Sequence, residues 1–449
     1  VKVKNAFRFA CIFLAAIAAT SCWPGRRQSA GSPNIILITI DALRPDHLSV
    51  YGYPYQTSPH IDDFAEKSVL FENAYCTTPK TSASLASMMT GLHPFFHRTR
   101  PIRDTLEKEF VTLAEALKMR GYSTTAIVDN PNLSKNFNFN QGFDRYLQVW
   151  DKTTEKEEST PYITRQILEF LSRDEKSPFF LWAHYIEPHY PFLPPQRFIE
   201  ERPQGRAFRE IEPKIIAGAQ RYVTPDLTEG YFLARYDGAV KYMDSEIEKI
   251  LDLVYKKGYQ KNSVIILTAD HGEELGEHNY FYNHGPLTFG SSTRVPLIMS
   301  VPGEKSRRIK SPVSLMDLYP TLLDWAGLVP PYEIQGQSLF ERPGDRFLFI
   351  EGSSASYSVV YKKYQLVRTE KKLARELGLE ELCLFDFFND PTEKDNFASR
   401  RKSLVDLMTR SYQEFYDKYG YRASTAKPKE EPKLTQREIE HLKALGYIR

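Results

Sequence analysis

Two apolar, β-branched runs that each end in an aspartate constrain this chain more than any other feature. Asn34-Ile-Ile-Leu-Ile-Thr-Ile40 leads into Asp41, and Ser263-Val-Ile-Ile-Leu-Thr-Ala269 leads into Asp270-His271-Gly272-Glu273. An unbroken apolar run of this length reads as a strand buried on both faces, as in the interior of a parallel sheet. Open α/β sheets hold their ligands outside the carboxyl ends of the strands. Both aspartates are therefore expected at one rim, beside His271. Two carboxylates and an imidazole make a partial shell for Mn²⁺, Zn²⁺, Ca²⁺ or Mg²⁺. The structural alternative is local: Asp41 caps a helix and Asp270 sits in the turn before Gly272.

Helix-like and strand-like segments alternate around these runs. Residues 64–68 and 81–90 read as short helices, the second closed by Gly91, and 111–119 is amphipathic before a strand at 124–128. A helix at 163–171 leads to a strand at 179–183. Residues 236–256 form a long helix with Val240, Met243, Ile247, Ile250, Leu251 and Val254 on one stripe. Such alternation predicts an α/β/α sandwich around a large, mainly parallel sheet. Residues 151–160 read as a charged loop, and 199–230 as an insertion near the active rim. From about residue 338 the texture changes to short aromatic-rich strands, expected to form a small antiparallel sheet followed by a helix at 398–419. A Lys/Glu/Pro linker at 423–433 precedes a last helix at 436–445.

The first residues break from this texture. Lys2, Lys4 and Arg8 precede an apolar run at 9–19, then Thr20-Ser21-Cys22. The run is short for a spanning helix and reads as a secretory signal. Its ending resembles a bacterial lipobox, which implies a signal peptide at 1–21, lipid on Cys22 and a tether to residue 33. The expectation is an exported lipoprotein, anchored to a membrane and facing the periplasm or the exterior. An ordinary signal peptide with a small-residue cleavage site is the alternative. After export Cys76 and Cys383 are free to pair, although two cysteines do not make a disulfide framework. The net charge of +2 gives no general electrostatic case for nucleic acid.

Hydroxyls and histidines complete the chemistry-bearing set. Pro79-Lys80-Thr81-Ser82 opens the helix at 81–90, where unpaired N–H groups and the positive dipole end favour an oxyanion. Ser and Thr are also the commonest caps, so this motif is ambiguous alone. His184-Tyr-Ile-Glu187-Pro188-His189-Tyr-Pro191 follows a strand, and Glu277-His278 with Asn283-His284-Gly285 follows Asp270. Histidines at a strand's carboxyl end are candidates for acid or donor roles toward a leaving oxygen.

In order along the chain, these motifs resemble the sulfatase family of the alkaline phosphatase superfamily. The opening is carried by Asp41-Ala-Leu-Arg44-Pro-Asp46, Tyr51-Gly52-Tyr53, Thr57-Ser-Pro59-His60-Ile61-Asp62 and Ala86-Ser87-Met-Met-Thr90-Gly91-Leu92. Glu187-Pro188-His189, Tyr236-Asp237-Gly238, Thr268-Ala-Asp270-His271-Gly272-Glu273 and Arg294-Val-Pro296-Leu297 continue it. Leu384-Phe-Asp386, Asp390-Pro391 and the ending Leu442-Lys-Ala-Leu-Gly446-Tyr447 resemble the family's C-terminal part. The resemblance implies a catalytic domain at 34–337, a small subdomain at 338–422, and a linker with terminal helix at 423–449.

Two departures from the family pattern carry chemistry. The family's nucleophile is a formylglycine made from Cys or Ser in a Cys/Ser-x-Pro-x-Arg motif, ten residues before the helix glycine. Counting back from Gly91 lands on Thr81, with Ala83 and Leu85 in place of the Pro and Arg. Cys76 lacks the motif too, since Thr78 and Lys80 stand at its Pro and Arg positions. Thr81 itself is therefore the expected nucleophile. A threonine ester has no aldehyde to collapse to, so water or an acceptor alcohol must attack the bound sulfur or phosphorus; this shifts weight toward phosphorus. Ala42 and His271 also replace an Asp and an Asn of calcium sulfatases. The imidazole favours Mn²⁺ or Zn²⁺, with Ca²⁺ still an option.

The resemblance thus implies one divalent metal ion held by Asp41, Asp270, His271 and the Thr81 oxygen. It implies that His189 and His284 touch the substrate's anionic group or leaving oxygen, with His184 and His278 as weaker candidates. The expected activity is hydrolysis of a sulfate or phosphate mono- or diester. A transferase of phospho-headgroups and a non-catalytic surface-binding protein on a decayed scaffold are the alternatives.

Overall fold

The computed structural model describes residues 32–99, 104–153, 159–173, 175, 178–208, 224–341, 345–353, 356–425, 432–445 and 447. The expected signal peptide, Cys22 and nearly all of the tether lie outside the described residues, as do parts of the 151–160 and 199–230 segments and most of the 423–433 linker. No helix among the described residues is long and apolar enough to cross a membrane.

The first half alternates as expected: β1 (Asn34–Ile40), α1 (Pro59–Glu66), β2 (Val69–Tyr75), α2 (Thr81–Thr90), α3 (Pro94–His97) and α4 (Leu113–Met119). Then come β3 (Ser123–Val128), β4 (Arg145–Gln148), α5 (Ser159–Ser172), β5 (Phe179–Tyr185), α6 (Glu229–Lys257) and β6 (Ser263–Ala269). A two-stranded ribbon follows, β7 (Glu274–Leu275) with β8 (Phe281–Asn283), and then α7 (Gly290–Thr293), β9 (Arg294–Ser300), β10 (Arg307–Ile309), β11 (Val313–Ser314) and α8 (Leu318–Trp325).

One sheet collects nine of these strands in the order β10-β2-β9-β6-β1-β5-β3-β4, with β11 also on β2. Every pairing is parallel except those of β9, which runs against both β2 and β6. Each residue of β1, β5 and β6 is buried, which explains their unbroken apolar character: helices cover both faces and leave no solvent side for polar residues. Ile40 stands opposite both Ala269 and Tyr185, so β6, β1 and β5 end level at one rim.

The C-terminal part is the expected antiparallel sheet, β12 (Phe347–Glu351), β13 (Tyr357–Tyr361), β14 (Tyr364–Arg368) and β15 (Leu382–Asp386), with α9 (Lys371–Leu377) between the last two. Two further helices follow, α10 (Lys402–Thr425) and α11 (Gln436–Ala444).

Several boundaries differ from the sequence expectation for local reasons. The helix read at 64–68 is α1, which starts five residues earlier because Pro59 occupies its first turn; Ser68 lies just beyond it, and the strand β2 begins at Val69. α4 begins at Leu113 because Thr112 and Glu115 form a capping box. The long helix starts at Glu229, capped by the Thr228 hydroxyl. α10 runs to Thr425, past the expected start of the linker at 423. Cys76 and Cys383 are both buried and free. The option of a bridge between them is therefore not realised.

Candidate active site

Asp41 and Asp270 leave the ends of neighbouring strands β1 and β6, and both are fully buried. The Ala42 N–H donates to Asp270 Oδ1 at 3.2 Å, and the His271 N–H donates to the same oxygen at 2.9 Å. Ala42 adopts a left-handed φ of 58°, a conformation that costs an alanine roughly 1–2 kcal/mol. The Tyr236 hydroxyl holds that turn, donating to the Ala42 carbonyl at 2.7 Å.

His271 is oriented by a 2.8 Å bond from Nδ1 to the Gly272 carbonyl, which leaves Nε2 as a lone-pair acceptor in the neutral ring. That atom is 3.4 Å from Asp270 Oδ2 and 3.6 Å from Asp41 Oδ1. Gly272 permits the approach of the Ser291 carbonyl, which a Cβ would meet at 2.0 Å.

Helix α2 brings in Thr81. Its N-terminus is tied to the strand end by Ser84, whose hydroxyl donates to the Asp270 carbonyl at 2.6 Å. Thr81 Oγ1 lies 3.2 Å from His271 Nε2 and 3.5 Å from Asp41 Oδ2. The four residues expected around one cation are thus brought together, from positions up to 230 apart in the chain.

His184, the penultimate residue of β5, joins them. Asp41, His184 and Asp270 form the one cluster of metal-ligating side chains found among the described residues, with ligand atoms within 4.8 Å of one another. Asp41 Oδ1, Asp270 Oδ2 and His184 Nε2 are buried without hydrogen-bond partners. Unpartnered buried carboxylate oxygens are costly, and a cation is the group that removes that cost. The donor set, carboxylate oxygens with imidazole nitrogens, suits a divalent metal of the Mn²⁺ or Zn²⁺ type.

The electrostatics point the same way. Burial opposes charge on Asp41, yet His189, His184 and His271 hold its carboxyl below the usual range. Burial, then the Asp41 charge, pushes Asp270 up to about 7. Burial pulls His271 down to about 4, so the ring is neutral and its lone pair available.

A second layer faces this cluster. His189 donates from Nδ1 to the Tyr190 carbonyl at 2.6 Å, and its ring lies 5.1 Å from that of His284, which in turn lies 4.1 Å from His271. Burial, then His189, pulls His284 down to about 3. Gly285, at φ +111°, leaves room for the Lys80 stem where a Cβ would approach Cε to 2.9 Å. His278 is elsewhere: it pairs with Glu274 at 2.9 Å and with Glu393 at 3.5 Å, and ties the ribbon to the C-terminal part. It is therefore not among the residues facing Thr81.

Three participants had no role in the sequence reading. Asn130, just past β3, donates from Nδ2 to Asp41 Oδ2 at 2.7 Å. Glu273 is buried with both carboxyl oxygens unpartnered, 3.4 Å from His284 Nδ1, and burial pushes it up to about 8. Tyr447 reaches Thr81 from the far end of the chain, hydroxyl to hydroxyl at 3.2 Å. Of these, Glu273 carried a signal, lying in the same loop as Asp270.

The sequence matches the family model described as Sulfatase over residues 33–328, and the one described as N-sulphoglucosamine sulphohydrolase, C-terminal, over residues 276–418. A sulfatase of Formosa agariphila is 25% identical, covering 84% of this chain and 85% of its own. An N-acetylglucosamine-6-O-sulfatase of Bacteroides thetaiotaomicron is 24% identical, covering 90% of each chain. The solved structure of a phosphonate monoester hydrolase of Agrobacterium radiobacter superposes with a TM-score of 0.66 at 20% identity, covering 87% of this chain and 96% of its own.

Proposed function

Because the chain belongs to the sulfatase family, whose members hydrolyse sulfuric esters, we propose that it is a metal-dependent ester hydrolase that uses the Thr81 hydroxyl, unmodified, as its nucleophile. The observation that carries this reading is the position of Thr81 Oγ1, 3.2 Å from His271 Nε2 and 3.5 Å from Asp41 Oδ2, at the start of a helix and among carboxylate oxygens without partners.

The residues divide the work. Asp41, Asp270 and His271, together with the Thr81 oxygen and with His184 as a further donor, would hold one divalent ion. A cation there supplies positive charge beside the attacking oxygen and the non-bridging oxygens of the ester. Thr81 attacks the sulfur or phosphorus in line, and its leading helix end favours the anionic group. His189 and His284, 5.1 Å apart by ring centres, face the same space and screen or protonate the leaving oxygen. Water then attacks the covalent ester and frees Thr81. Phosphorus is favoured over sulfur because this second attack is well precedented for phosphoryl groups.

The alcohol portion is read from kinship alone. The Bacteroides relative is named for a sugar sulfate and the Agrobacterium neighbour for a phosphonate monoester, so a carbohydrate ester of either acid is the proposed substrate class. Export and anchoring through Cys22 are part of the same proposal and rest on the lipobox-like ending.

The test compares turnover of an aryl sulfate, an aryl phosphate and a bis-aryl phosphate with added Mn²⁺, Zn²⁺ or Ca²⁺, in the wild type and in Thr81→Ala. The expected result is metal-dependent turnover, greatest on a phosphate ester, abolished in Thr81→Ala without loss of folding. Full activity in that variant would move the nucleophile elsewhere. Purified protein without bound metal or turnover would favour a binding role.

A further inference from the structure

The terminal segment is built into the site rather than laid over it. Helix α11 is capped by Thr435 and Glu438, and both Glu438 carboxyl oxygens accept from Asn136 Nδ2, at 2.9 and 3.1 Å. Leu442 is fully buried, and Arg437 donates to the Asp151 and Thr153 carbonyls. The chain then turns back, with the Tyr447 N–H donating to the Leu442 carbonyl at 2.9 Å, and this fixes the phenol. Its oxygen is 3.2 Å from Thr81 Oγ1, 3.1 Å from His189 Nε2 and 3.3 Å from Asn130 Nδ2.

The donor roles follow from the neighbours. His189 Nδ1 faces the Tyr190 carbonyl and carries the ring hydrogen, so Nε2 of the neutral ring is an acceptor and the Tyr447 hydroxyl donates to it. The Asn130 amide donates to the phenol oxygen. Thr81 has three acceptors within reach: Asp41 Oδ2, His271 Nε2 and the Tyr447 oxygen. Asp41 Oδ2 already accepts from Asn130 at 2.7 Å and is the farthest of the three from Thr81, at 3.5 Å, and His271 would turn its Nε2 lone pair to a bound cation, which leaves the Tyr447 oxygen to accept from Thr81.

We propose that Tyr447 is a catalytic residue that passes the Thr81 proton to His189. The inference rests on Thr81 as nucleophile. As the Thr81 Oγ–H bond breaks and the oxygen bonds to sulfur or phosphorus, the proton moves to the Tyr447 oxygen. The phenol's own proton moves to His189 Nε2 at the same time, so Tyr447 ends neutral as it began. His189, now an imidazolium, gives this proton to the leaving oxygen as the ester bond breaks. In net, Thr81 loses one proton and the leaving oxygen gains one, while Tyr447 and His189 return to their starting states.

Tyr447→Phe keeps the ring and removes the relay. The variant is compared with the wild type on 4-nitrophenyl and unsubstituted phenyl esters of whichever acid the wild type hydrolyses. Both esters lose the acceptor for the Thr81 proton, and the unsubstituted phenolate loses its proton donor as well, so its kcat should fall by roughly 100-fold and that of the nitrophenyl ester by clearly less, with KM and melting temperature little changed. His189→Ala should add little to the loss in Tyr447→Phe, since both remove one path. Equal losses on the two esters, no loss, or a gain in activity from unplugging the site would each overturn the relay while leaving Thr81 in place. A wild type inactive on every ester would overturn the functional reading and the relay with it.

Discussion

Asn130 donates from Nδ2 to Oδ2 of Asp41 at 2.7 Å, across 89 residues of chain. Its amide cannot turn freely, because Oδ1 accepts the Asn132 N–H at 3.0 Å. The bond therefore sets which oxygen of Asp41 remains for other work: Oδ1 is left buried and unpartnered. Residues that orient ligands in this way typically carry a 10- to 100-fold share of metal affinity or activity.

Asn130→Asp keeps the bond to Asn132 and replaces the donor with a second carboxylate beside Asp41. The expected outcome is a loss of about 10- to 100-fold in kcat/KM with little change in melting temperature. Steady-state kinetics at fixed metal concentration measure it. An unchanged kcat/KM would mean that Asp41 is held by something other than Asn130.

Metal should raise the melting temperature of the purified protein. A ligand that binds only the folded state stabilises it by about 2.7 kcal/mol at a free concentration one hundred times its Kd. Titrating metal-stripped protein with Mn²⁺ or Zn²⁺ in a thermal-shift assay should show this rise. Asp270→Asn, which removes a charge from the cluster, should weaken the response at equal metal concentration. A wild-type curve indifferent to every divalent ion would refute the metal reading.

Stability should fall as the medium becomes alkaline, and His278 is the reason. Burial works against its charge, but Glu274 and Glu393 raise it from 6.5 to about 9. A raised folded value gives a contribution that is complete below the unfolded value near 6.5 and lost as pH rises through about 9. Burial pushes Glu393 from 4.5 up to about 7, which makes the fold less stable as pH rises from about 4.5 to about 7. Glu274 is held low by His278 and the Ser291 and Ser292 hydroxyls despite burial, and its contribution is lost only in acid. The melting-temperature gap between wild type and His278→Gln should be widest near pH 6 and close above about pH 9. A gap constant across that window would count against the ion pair.

Leu37 lies at the centre of β1, fully buried and between Trp182 and Ile266 in the neighbouring strands. Leu37→Ala should cost about 2–5 kcal/mol in urea unfolding, since the removed atoms leave a cavity that a close-packed sheet fills only partly. Met119→Ala is the control: that side chain is 72% exposed, and its loss should stay within about 0.5 kcal/mol. Similar losses at both sites would contradict the placement of β1 in the core.

The strands that carry Asp41 and Asp270 were legible because burial on both faces removes every polar residue from them. Helix α2 was legible through Gly91, whose φ of +69° ends it, and counting back from that glycine reached Thr81. The reversed strand β9 was not legible: its run Val295 to Met299 is as apolar as a parallel strand, and direction is a property of connections rather than of composition. His184 is the weaker candidate in the sequence because it belongs to β5 itself, and a strand residue next to the rim looks like core. Asn130 had no local signal at all, since an asparagine before a proline reads as a turn. Tyr447 belongs to the family-like ending, but nothing in that motif attaches chemistry to it.

The layered α/β architecture and the family are readable from the amino-acid order, which also singles out Asp41, Asp270, His271 and Thr81 as candidates, because hydrophobic period and ordered motifs are written along the chain. Folding alone brings His184 and Asn130 to Asp41, Tyr447 to Thr81 and Glu273 to His284. Side chains from strand ends, from the loops after β3 and β6 and from beyond the last helix are brought within hydrogen-bond or ion-pair reach by sheet order and packing, and neither leaves a periodic trace in a linear string. The unpartnered oxygens of Asp41 and Asp270 belong to the same class of fact: whether a buried polar atom is satisfied depends on what the rest of the fold places beside it.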